Sequence, residues 1–269
     1  MAEKKIKPEF AKWTNPPATK IKRVVAVISG KGGVGKSSVT ALLAVTLTRA
    51  GLKVGILDAD ITGPTIPQMF GVNEMPQGGE QGMTPPQSKL GIKIMSLQLL
   101  MDDEDAPAIW RAPMLNGTIK RFWTDVMWGE LDCLLVDLPP GTGDVPLTVM
   151  QSLPLAGVMM VATPQKIAVG VVRKAIKMAE RMGVPVLGLV ENMSYVGCGS
   201  CGEKNYIFGP SAGGQVAEEF GLPFLGAVPI DPLLVELADS GKIEEYKHPV
   251  FAAVMEPLTE KNLIFAGTN

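Results

Sequence analysis

Cysteine and histidine are scarce in this 269-residue chain, which has three cysteines and one histidine. Three cysteines in a chain of this length argue against a disulfide framework and for a reducing compartment. We therefore expect a cytoplasmic protein that is held together by its core and not by covalent cross-links.

Long apolar runs and an excess of one charge are also absent from the sequence. The longest apolar run, Leu155–Ala162, is far too short to span a bilayer. The first five residues, Met-Ala-Glu-Lys-Lys, do not begin an apolar segment, so we expect no signal peptide. The formal net charge of -2 gives no bulk attraction to nucleic acid or to an anionic membrane, and we expect neither as a partner. With 46% hydrophobic residues the chain can bury a sizeable core.

The stretch Gly30–Ser38 has the sequence G-K-G-G-V-G-K-S-S. A β-branched run, Val24–Ile28, precedes it, and Val39–Arg49, with apolar residues at helical spacing, follows it. A strand, a glycine loop and a helix in this order predict a phosphate-binding loop, because glycines let successive N–H groups converge on one anion. A glycine-rich turn with a chance lysine is the alternative. The residues predicted to bind ATP here are Gly30, Lys31, Gly32, Gly33, Val34, Gly35, Lys36, Ser37 and Ser38.

Three side chains of this loop have distinct predicted roles. We expect Lys36 to reach the β- and γ-phosphates and the Ser37 hydroxyl to ligate Mg²⁺. Lys31 stands directly after the first glycine, where an ordinary phosphate loop needs no lysine. It resembles the deviant loop of the MinD/ParA/nitrogenase-iron-protein class of ATPases, in which this lysine crosses a dimer interface to the nucleotide of the other subunit. A solvated lysine is the alternative.

Carboxylates follow two of the predicted strands. Asp58 and Asp60 come after one strand, and Asp137 comes after another. Acids at the carboxyl ends of central parallel strands lie beside the phosphate site. Asp58 and Asp60 are candidates for holding magnesium-bound water or orienting the attacking water, with a helix cap or turn acid as the alternative. Asp137 is expected to hold Mg²⁺ through water, and the glycine-rich turn after it, which includes Gly141, to sense the γ-phosphate by a backbone N–H.

Strand and helix patterns alternate along the chain. This alternation predicts a single α/β domain with a mostly parallel central sheet and helices on both faces. Together with the phosphate-binding loop at Gly30–Ser38, it indicates the fold class of a P-loop NTPase. We expect residues 1–20 to form a flexible basic arm and residues 21–269 the ATPase domain. A long surface loop is expected over Gly71–Leu90, and a helix over Pro113–Trp128. The predicted strands are Val24–Ile28, Val54–Leu57, Ile92–Leu97, Cys133–Val136, Val158–Ala162, Val186–Val190 and Phe224–Val228.

A second candidate site is the segment Gly197–Gly202, which contains Cys198 and Cys201. Two thiolates at C-x-x-C spacing can bind one metal ion or one edge of a cluster, but a tetrahedral site needs four ligands. Cys133 is on a predicted core strand and the only histidine, His248, is far along the chain, so one chain cannot complete the site. We therefore infer a symmetric homodimer that brings two pairs together. A Cys₄ zinc site, a redox dithiol and two idle surface thiols are the alternatives.

These motifs resemble the Mrp/ApbC/Nbp35 family, whose members are P-loop ATPases that assemble or carry iron–sulfur clusters. The resemblance extends from about Ile21 to Ala253, in the family's order. It depends on the deviant loop, on the C-x-x-C pair and on four further segments, which are Asp58–Pro64, Trp110–Pro113, Asp137–Asp144 and Glu191–Tyr195.

The resemblance implies a role for each matching nucleotide-site position. Lys31, Lys36 and Asp60 would be catalytic, as the trans-acting lysine, the phosphate lysine and the acid that positions the attacking water. Ser37 would be the magnesium ligand and Asp137 the second carboxylate of the site. The positions that resemble adenine contacts are Asn192, Pro229 and Asp231.

The resemblance also implies what the cysteine pair holds. Cys198 and Cys201 would bind a [4Fe-4S] cluster that bridges two subunits, with Zn²⁺ possible in the same cysteine site. The protein would then be a homodimeric ATPase that passes a labile cluster to apo iron–sulfur proteins. Hydrolysis is expected to be slow, because the site carries no obvious strong base. A MinD/ParA-type positioning ATPase and a zinc-binding dimeric scaffold are the alternative functions.

Overall fold

A computed structural model describes residues 12–61, 63–101 and 112–260. The strands are β1 (Lys20–Ser29), β2 (Val54–Asp58), β3 (Gln77–Gly79), β4 (Gly82–Thr84), β5 (Lys93–Met95), β6 (Glu130–Asp137), β7 (Gly157–Ala162), β8 (Val186–Glu191), β9 (Val196–Gly197), β10 (Lys204–Asn205) and β11 (Phe224–Ala227). The helices are α1 (Lys36–Arg49), α2 (Ile66–Phe70), α3 (Ala112–Thr124), α4 (Asp144–Ser152), α5 (Lys166–Met182), α6 (Gly213–Glu219), α7 (Pro232–Asp239) and α8 (Pro249–Glu260). No helix within these residues is long and apolar enough to cross a membrane.

The centre of the fold is a seven-stranded sheet in the order β11-β8-β7-β1-β6-β2-β5. Every pairing in it is parallel, so the predicted α/β fold is confirmed. Central parallel strands are covered on both faces and therefore consist of continuous apolar runs. In β7, all six residues are buried.

Alternate residues of each central strand enter two separate cores. In β1, Val25 and Val27 pack into the core beneath α1, α2, α7 and α8. Val24, Ala26 and Ile28 pack into the core beneath α3, α4, α5 and α6. The period of two is that of a strand whose successive side chains point to opposite faces of the sheet. The helices therefore lie on both faces, as predicted.

The register of the central strands places the predicted acids at one edge of the sheet. Asp58, the last residue of β2, is paired with Asp137, the last residue of β6. Asp137 also pairs with Val27 of β1, so β1 continues beyond it to Ser29 and then enters the phosphate loop. From β1 the chain continues to β2 on one side of the sheet, whereas from the adjacent strand β7 it continues to β8 on the other side. The carboxyl ends of β1 and β7 therefore form a switch point, where α/β sheets bind ligands.

The surface loop predicted over Gly71–Leu90 is wrong in part. Its middle forms the antiparallel hairpin of β3 and β4. Met83 in β4 accepts a hydrogen bond from Met127 N (2.8 Å) and donates one to Asp125 O (2.8 Å). These contacts also end α3 at Thr124, before the predicted end of the helix at Trp128. The pairing joins residues far apart in sequence, which a local pattern does not contain.

The last part of the predicted N-terminal arm contacts the domain. Trp13 N donates to Ser152 O (2.9 Å), and Trp123 Nε1 donates to Trp13 O (3.0 Å). The Lys12 ammonium donates to Leu153 O (2.9 Å). The prediction of a flexible arm therefore does not extend to the residues from Lys12 onward. The remainder of the predicted arm, residues 1–11, lies outside the described residues, as do Trp110 and Arg111 of the resemblance.

Candidate functional site

The phosphate loop joins β1 to α1 and leaves the start of the helix open. Gly33 and Gly35 have φ of 74° and 73°, values that a glycine adopts without strain. Gly35 is the N-cap residue of α1, and among the described residues no side chain caps this helix end and no acid lies in its first turn. The free N–H groups and the positive end of the helix dipole are available to an anion. The loop lines a cleft of about 220 Å³.

Lys36 is buried at the base of this cleft, with 6% of its side chain exposed. Its ammonium lies 2.7 Å from Asp137 Oδ2 and 3.7 Å from Asp60 Oδ2. A charge at this depth needs a partner, and the two carboxylates provide it. Lys36 is therefore held where it can exchange a carboxylate for the oxygens of a phosphate.

Asp137 collects three donors from the start of α1. Besides Lys36, Ser37 Oγ donates to its Oδ2 (2.6 Å) and Thr40 Oγ1 donates to its Oδ1 (2.7 Å). A hydroxyl and a carboxylate side by side are hard oxygen ligands of the kind that Mg²⁺ prefers, so this donor set fits the predicted metal. The sequence analysis missed Thr40. Its position one helical turn after Lys36, which places both on one face of α1, is the signal that could have found it.

The two acids at the end of β2 differ in position. Asp60 lines the cleft, whereas Asp58 is buried beneath it. Asp58 accepts hydrogen bonds from Asp60 N (3.1 Å) and from Ser96 Oγ (3.1 Å). Burial, together with the charge of Asp137, raises the pKa of Asp58 to about 8, against the opposing effect of Lys36. Of the pair, Asp60 is the one placed to orient a water molecule in the cleft.

Lys31 and Gly141 lie at the rim of the site. Lys31 lines the cleft and donates a hydrogen bond to Gln165 Oε1 of its own chain. Gly141 has φ of 89°, and its N–H donates to Ser29 O (2.8 Å). Contact of Lys31 with a second subunit, and of Gly141 with a γ-phosphate, stay predictions.

The residues predicted to contact adenine do not form one cluster of free polar groups. Asn192 is buried, and its Nδ2 donates to Val34 O of the phosphate loop (2.9 Å). Asp231 caps α7 by accepting from Leu233 N (2.9 Å), and its other oxygen accepts from Tyr246 Oη (2.8 Å). Pro229, which follows β11 and precedes α7 in the sequence, is buried. Adenine binding by these residues stays a prediction.

Cys198 and Cys201 are exposed on the turn that joins β9 to β10. Cys198 N donates to Glu203 O, and Gly202 N donates to Cys198 O, both at 2.9 Å, which closes the turn. The backbone N–H groups of Ser200 and Cys201 point at the Cys198 sulfur and lower the pKa of its thiol. A thiolate stabilised in this way is ready to bind a metal.

The third cysteine does not belong to this site. Cys133 is buried in β6, and burial raises the pKa of its thiol to about 12. Within the described ranges, no group of three or more His, Cys, Asp or Glu residues is arranged to hold a metal ion. Cys198 and Cys201 are therefore two exposed thiols on one turn, and a metal or cluster bound by them stays a prediction.

Aromatic and apolar residues surround the cysteine turn. The ring of Tyr195 lies 6.0 Å from that of Tyr206, and the Lys204 ammonium lies 4.5 Å from the Tyr195 ring centroid. Ile207 and Phe208, which follow β10, are exposed. Tyr195, Tyr206 and Lys204 therefore form a small cluster next to the strands that carry the cysteine turn. The sequence analysis did not identify this cluster.

Comparison with known proteins gives related chains and a related structure. The family model that matches residues 20–261 is described as ParA, NUBPL iron-transfer P-loop NTPase. An "iron-sulfur cluster carrier protein" of Clostridium perfringens is 46% identical over 248 residues, which cover 88% of this chain and 87% of that protein. A protein of the same name from Methanocaldococcus jannaschii is 48% identical over 225 residues, covering 83% and 78%. A nucleotide-binding protein of Archaeoglobus fulgidus, solved in complex with ADP and with cobalt found by PIXE, is 46% identical and superposes with a TM-score of 0.76, covering 86% of this chain and 90% of that chain.

Proposed function

Because this chain belongs to the ParA family of NUBPL iron-transfer P-loop NTPases, we propose that it is an ATP-dependent carrier of iron–sulfur clusters. The observation that carries the proposal is the presence, on one domain, of a phosphate loop that lines a cleft and of an exposed pair of thiols at C-x-x-C spacing. Relatives that are named iron-sulfur cluster carrier proteins cover most of the chain and support the same function.

ATP is the proposed substrate of the cleft. Lys36 leaves Asp137 to bind the β- and γ-phosphates, and the N–H groups of the loop hold the remaining phosphate oxygens. Ser37, and Asp137 through water, would hold Mg²⁺, which would supply positive charge to neutralise the phosphates. Asp60 orients the water whose oxygen attacks the γ-phosphorus as the bond to the β–γ bridging oxygen breaks. Hydrolysis is slow, because none of these groups is a strong base.

The proposed active form is a homodimer that holds the cluster between two cysteine turns. Cys198 and Cys201 of each copy provide four thiolates, the ligand number of a [4Fe-4S] cluster. In the same dimer Lys31 releases Gln165 and reaches the nucleotide of the other copy. The recipients are apo iron–sulfur proteins, and the compartment is the cytoplasm.

Anaerobic reconstitution with iron and sulfide tests the cluster site. We expect the wild-type protein and a Cys133→Ala control to develop the visible charge-transfer absorption of an iron–sulfur cluster, and Cys198→Ala to lose it. A colourless reconstituted protein that instead holds one zinc ion per two chains would replace the cluster with a structural Zn²⁺ site.

Cluster transfer tests the role of ATP. A reconstituted Lys36→Ala variant, which cannot grip phosphate, is mixed with an apo-protein whose activity requires a [4Fe-4S] cluster. We expect transfer that is slower than wild type and does not respond to ATP. Transfer at the full wild-type rate by this variant would remove ATP from the proposed function.

A further inference from the structure

Glu191, the last residue of β8, carries a buried carboxylate with three hydrogen-bond donors around it. It is 1% exposed. Its Oε1 accepts from Ser194 Oγ (2.6 Å), and its Oε2 accepts from the backbone N–H groups of Ala212 (2.9 Å) and Gly213 (2.6 Å). A carboxylate buried at this depth is stable only when its oxygens are satisfied, and these donors satisfy both of them.

The donors come from the two ends of the segment that carries the cysteines. The chain leaves the core at Ser194, forms the turn with Cys198 and Cys201, and returns at Ala212 and the first residue of α6. Gly213 approaches Glu191 so closely that an added Cβ would lie 3.1 Å from the carboxylate oxygen Oε2. Glu191 therefore holds both the departure and the return of the cysteine segment at one point.

The next two residues contact the phosphate loop. Asn192 Nδ2 donates to Val34 O (2.9 Å), and a Cβ at Gly35 would lie 2.2 Å from the same nitrogen. Met193 has φ of 56°, the one positive value among the non-glycine residues that the structure describes, and its Cε also lies against Gly35. A left-handed backbone conformation at a residue with a side chain of this size persists only where the surrounding structure holds it.

We propose that Glu191 is a positioning residue that couples nucleotide binding at the phosphate loop to the arrangement of the Cys198–Cys201 turn. Asn192 and Met193 sense the loop, and Glu191 and Ser194 pass the displacement to the base of the cysteine segment. The proposal rests on the function proposed above, because it explains how ATP alters the grip on a cluster held by that turn.

The contacts favour transmission of a displacement because they are buried and continuous. Asn192 and Ser194 are 5% and 0% exposed, so a shift of Val34 meets close-packed protein and not water. The backbone of the segment is tied to the sheet on both sides, with Asn192 N donating to Ala162 O and Ser194 N donating to Val228 O. Because this backbone is anchored, a shift of the phosphate loop is passed on by the side chains. The cysteine segment is largely exposed, and it is therefore the part that can change its position in response.

The test follows the alkylation rates of Cys198 and Cys201 by mass spectrometry, in protein without cluster, with and without Mg²⁺ and a non-hydrolysable ATP analogue. In the wild type we expect nucleotide to change the rates by about fivefold or more, the lower end of usual coupling between sites. In Glu191→Gln we expect nucleotide binding to persist and the rate change to be lost. Sedimentation under the same conditions separates a change within the chain from burial in a dimer.

Glu203→Gln is the matched control. It makes the same chemical change beside the cysteines, but the Glu203 side chain is exposed and only its backbone holds the turn. We expect this variant to respond to nucleotide as the wild type does. If Glu191→Gln does not fold, Ser194→Ala, which removes one of the three donors, should reduce the rate change partially.

Two results would overturn the proposal. One is a full nucleotide-dependent rate change in Glu191→Gln and Ser194→Ala. The other is a wild-type protein that binds nucleotide without any rate change. Either result leaves the proposed cluster carriage intact, since that depends on reconstitution and transfer. Retention of the cluster by Cys198→Ala would instead contradict the proposed cluster site, and it would not bear on the alkylation measurement in Glu191→Gln.

Discussion

Asp58 should give the stability of this protein a distinctive dependence on pH. Its pKa is raised from 3.8 to about 8, so the folded protein keeps a proton that the unfolded chain releases. Between these two values the folded state binds more protons than the unfolded state, and the free energy of unfolding falls as pH rises. The fall attributable to Asp58 is at most about 1.4 kcal/mol per pH unit. Its stabilising contribution is complete below the lower value and lost above the upper one.

Urea denaturation of the Asp58→Asn variant between pH 5 and pH 8 measures this effect, in a window of roughly three pH units in which the two forms should diverge. We expect the stability of the variant relative to wild type to rise steadily with pH. Asp132→Asn is the control, because a hydrogen bond from Lys22 lowers the pKa of Asp132, which therefore does not titrate in this range. A constant difference between wild type and Asp58→Asn would show that Asp58 is ionised throughout.

Thr40 should stabilise the fold through the carboxylate that it contacts. In Thr40→Val the shape is kept but Asp137 Oδ1 loses its 2.7 Å donor. Because hydrogen bonds to charged groups are the stronger ones, we expect a loss of about 1.5–3 kcal/mol in the free energy of unfolding. In Thr46→Val, which removes a hydroxyl that donates to the neutral backbone oxygen of Leu42, the loss should be about 1 kcal/mol or less. Chemical denaturation of both variants measures the difference, and equal losses would contradict the assignment.

Alanine substitutions at two glycines of the phosphate loop separate the cost of a left-handed backbone from the cost of a steric clash. Gly33→Ala adds a Cβ at φ of 74° with no atom within 4 Å, so it should cost only the left-handed backbone, about 1–2 kcal/mol. Gly35→Ala has a similar φ but places its Cβ 2.2 Å from Asn192 Nδ2, which must then leave Val34 O. We expect a loss of about 3 kcal/mol or more for Gly35→Ala. Thermal unfolding without nucleotide measures both, and similar melting temperatures would show that Asn192 moves freely.

The elements that the sequence predicted well are those with a local signal. Strands β2 and β7 are short apolar runs followed by polar residues, and a buried parallel strand needs little else. Prediction failed where a partner distant in sequence decides the structure. The hairpin of β3 and β4 exists because Met83 pairs with residues that follow α3, and Trp13 is held by Ser152 and Trp123. The residues around Met83 and Trp13 carry no local sequence pattern that predicts either pairing.

The candidate site divides in the same way. The phosphate loop was predicted residue by residue, because spacing along the chain fixes its geometry. Asp58 and Asp60 were predicted as a pair, yet only Asp60 lines the cleft, because Asp58 is the last, buried residue of β2 whereas Asp60 lies two residues beyond the end of the strand. The bonds of Glu191 to Ala212 and Gly213 depend on how β8 meets α6, which no motif specifies.

If Lys31 of each subunit acts on the nucleotide of the other subunit, as proposed, two inactive variants should restore activity when they are mixed. Lys31→Ala keeps its own phosphate grip and lacks the trans-acting lysine, whereas Lys36→Ala loses the grip and still offers Lys31. We expect each alone to be inactive in ATP hydrolysis. An equimolar mixture should recover up to about a quarter of the wild-type activity, since half of the dimers are mixed and each has one complete site.

A mixture that stays as inactive as its components would place Lys31 in the site of its own chain. The control is a mixture of Lys36→Ala with Asp60→Asn. Each of these lacks a residue that acts on the nucleotide of its own chain, so no mixed dimer has a complete site. Phosphate release measures both mixtures, and recovery in the control would contradict the assignment of Asp60.

In the proposed nucleotide-bound state, Lys36 leaves Asp137 for the triphosphate. When the ammonium turns to the nucleotide, Asp137 is left without its counter-charge in the interior, opposite an incoming polyanion. A divalent cation is the replacement that suits both neighbours. The proposed site therefore predicts that ATP binds together with Mg²⁺, and a chelator should weaken nucleotide affinity in the wild type far more than in Asp137→Asn, where the unpaired carboxylate charge is absent.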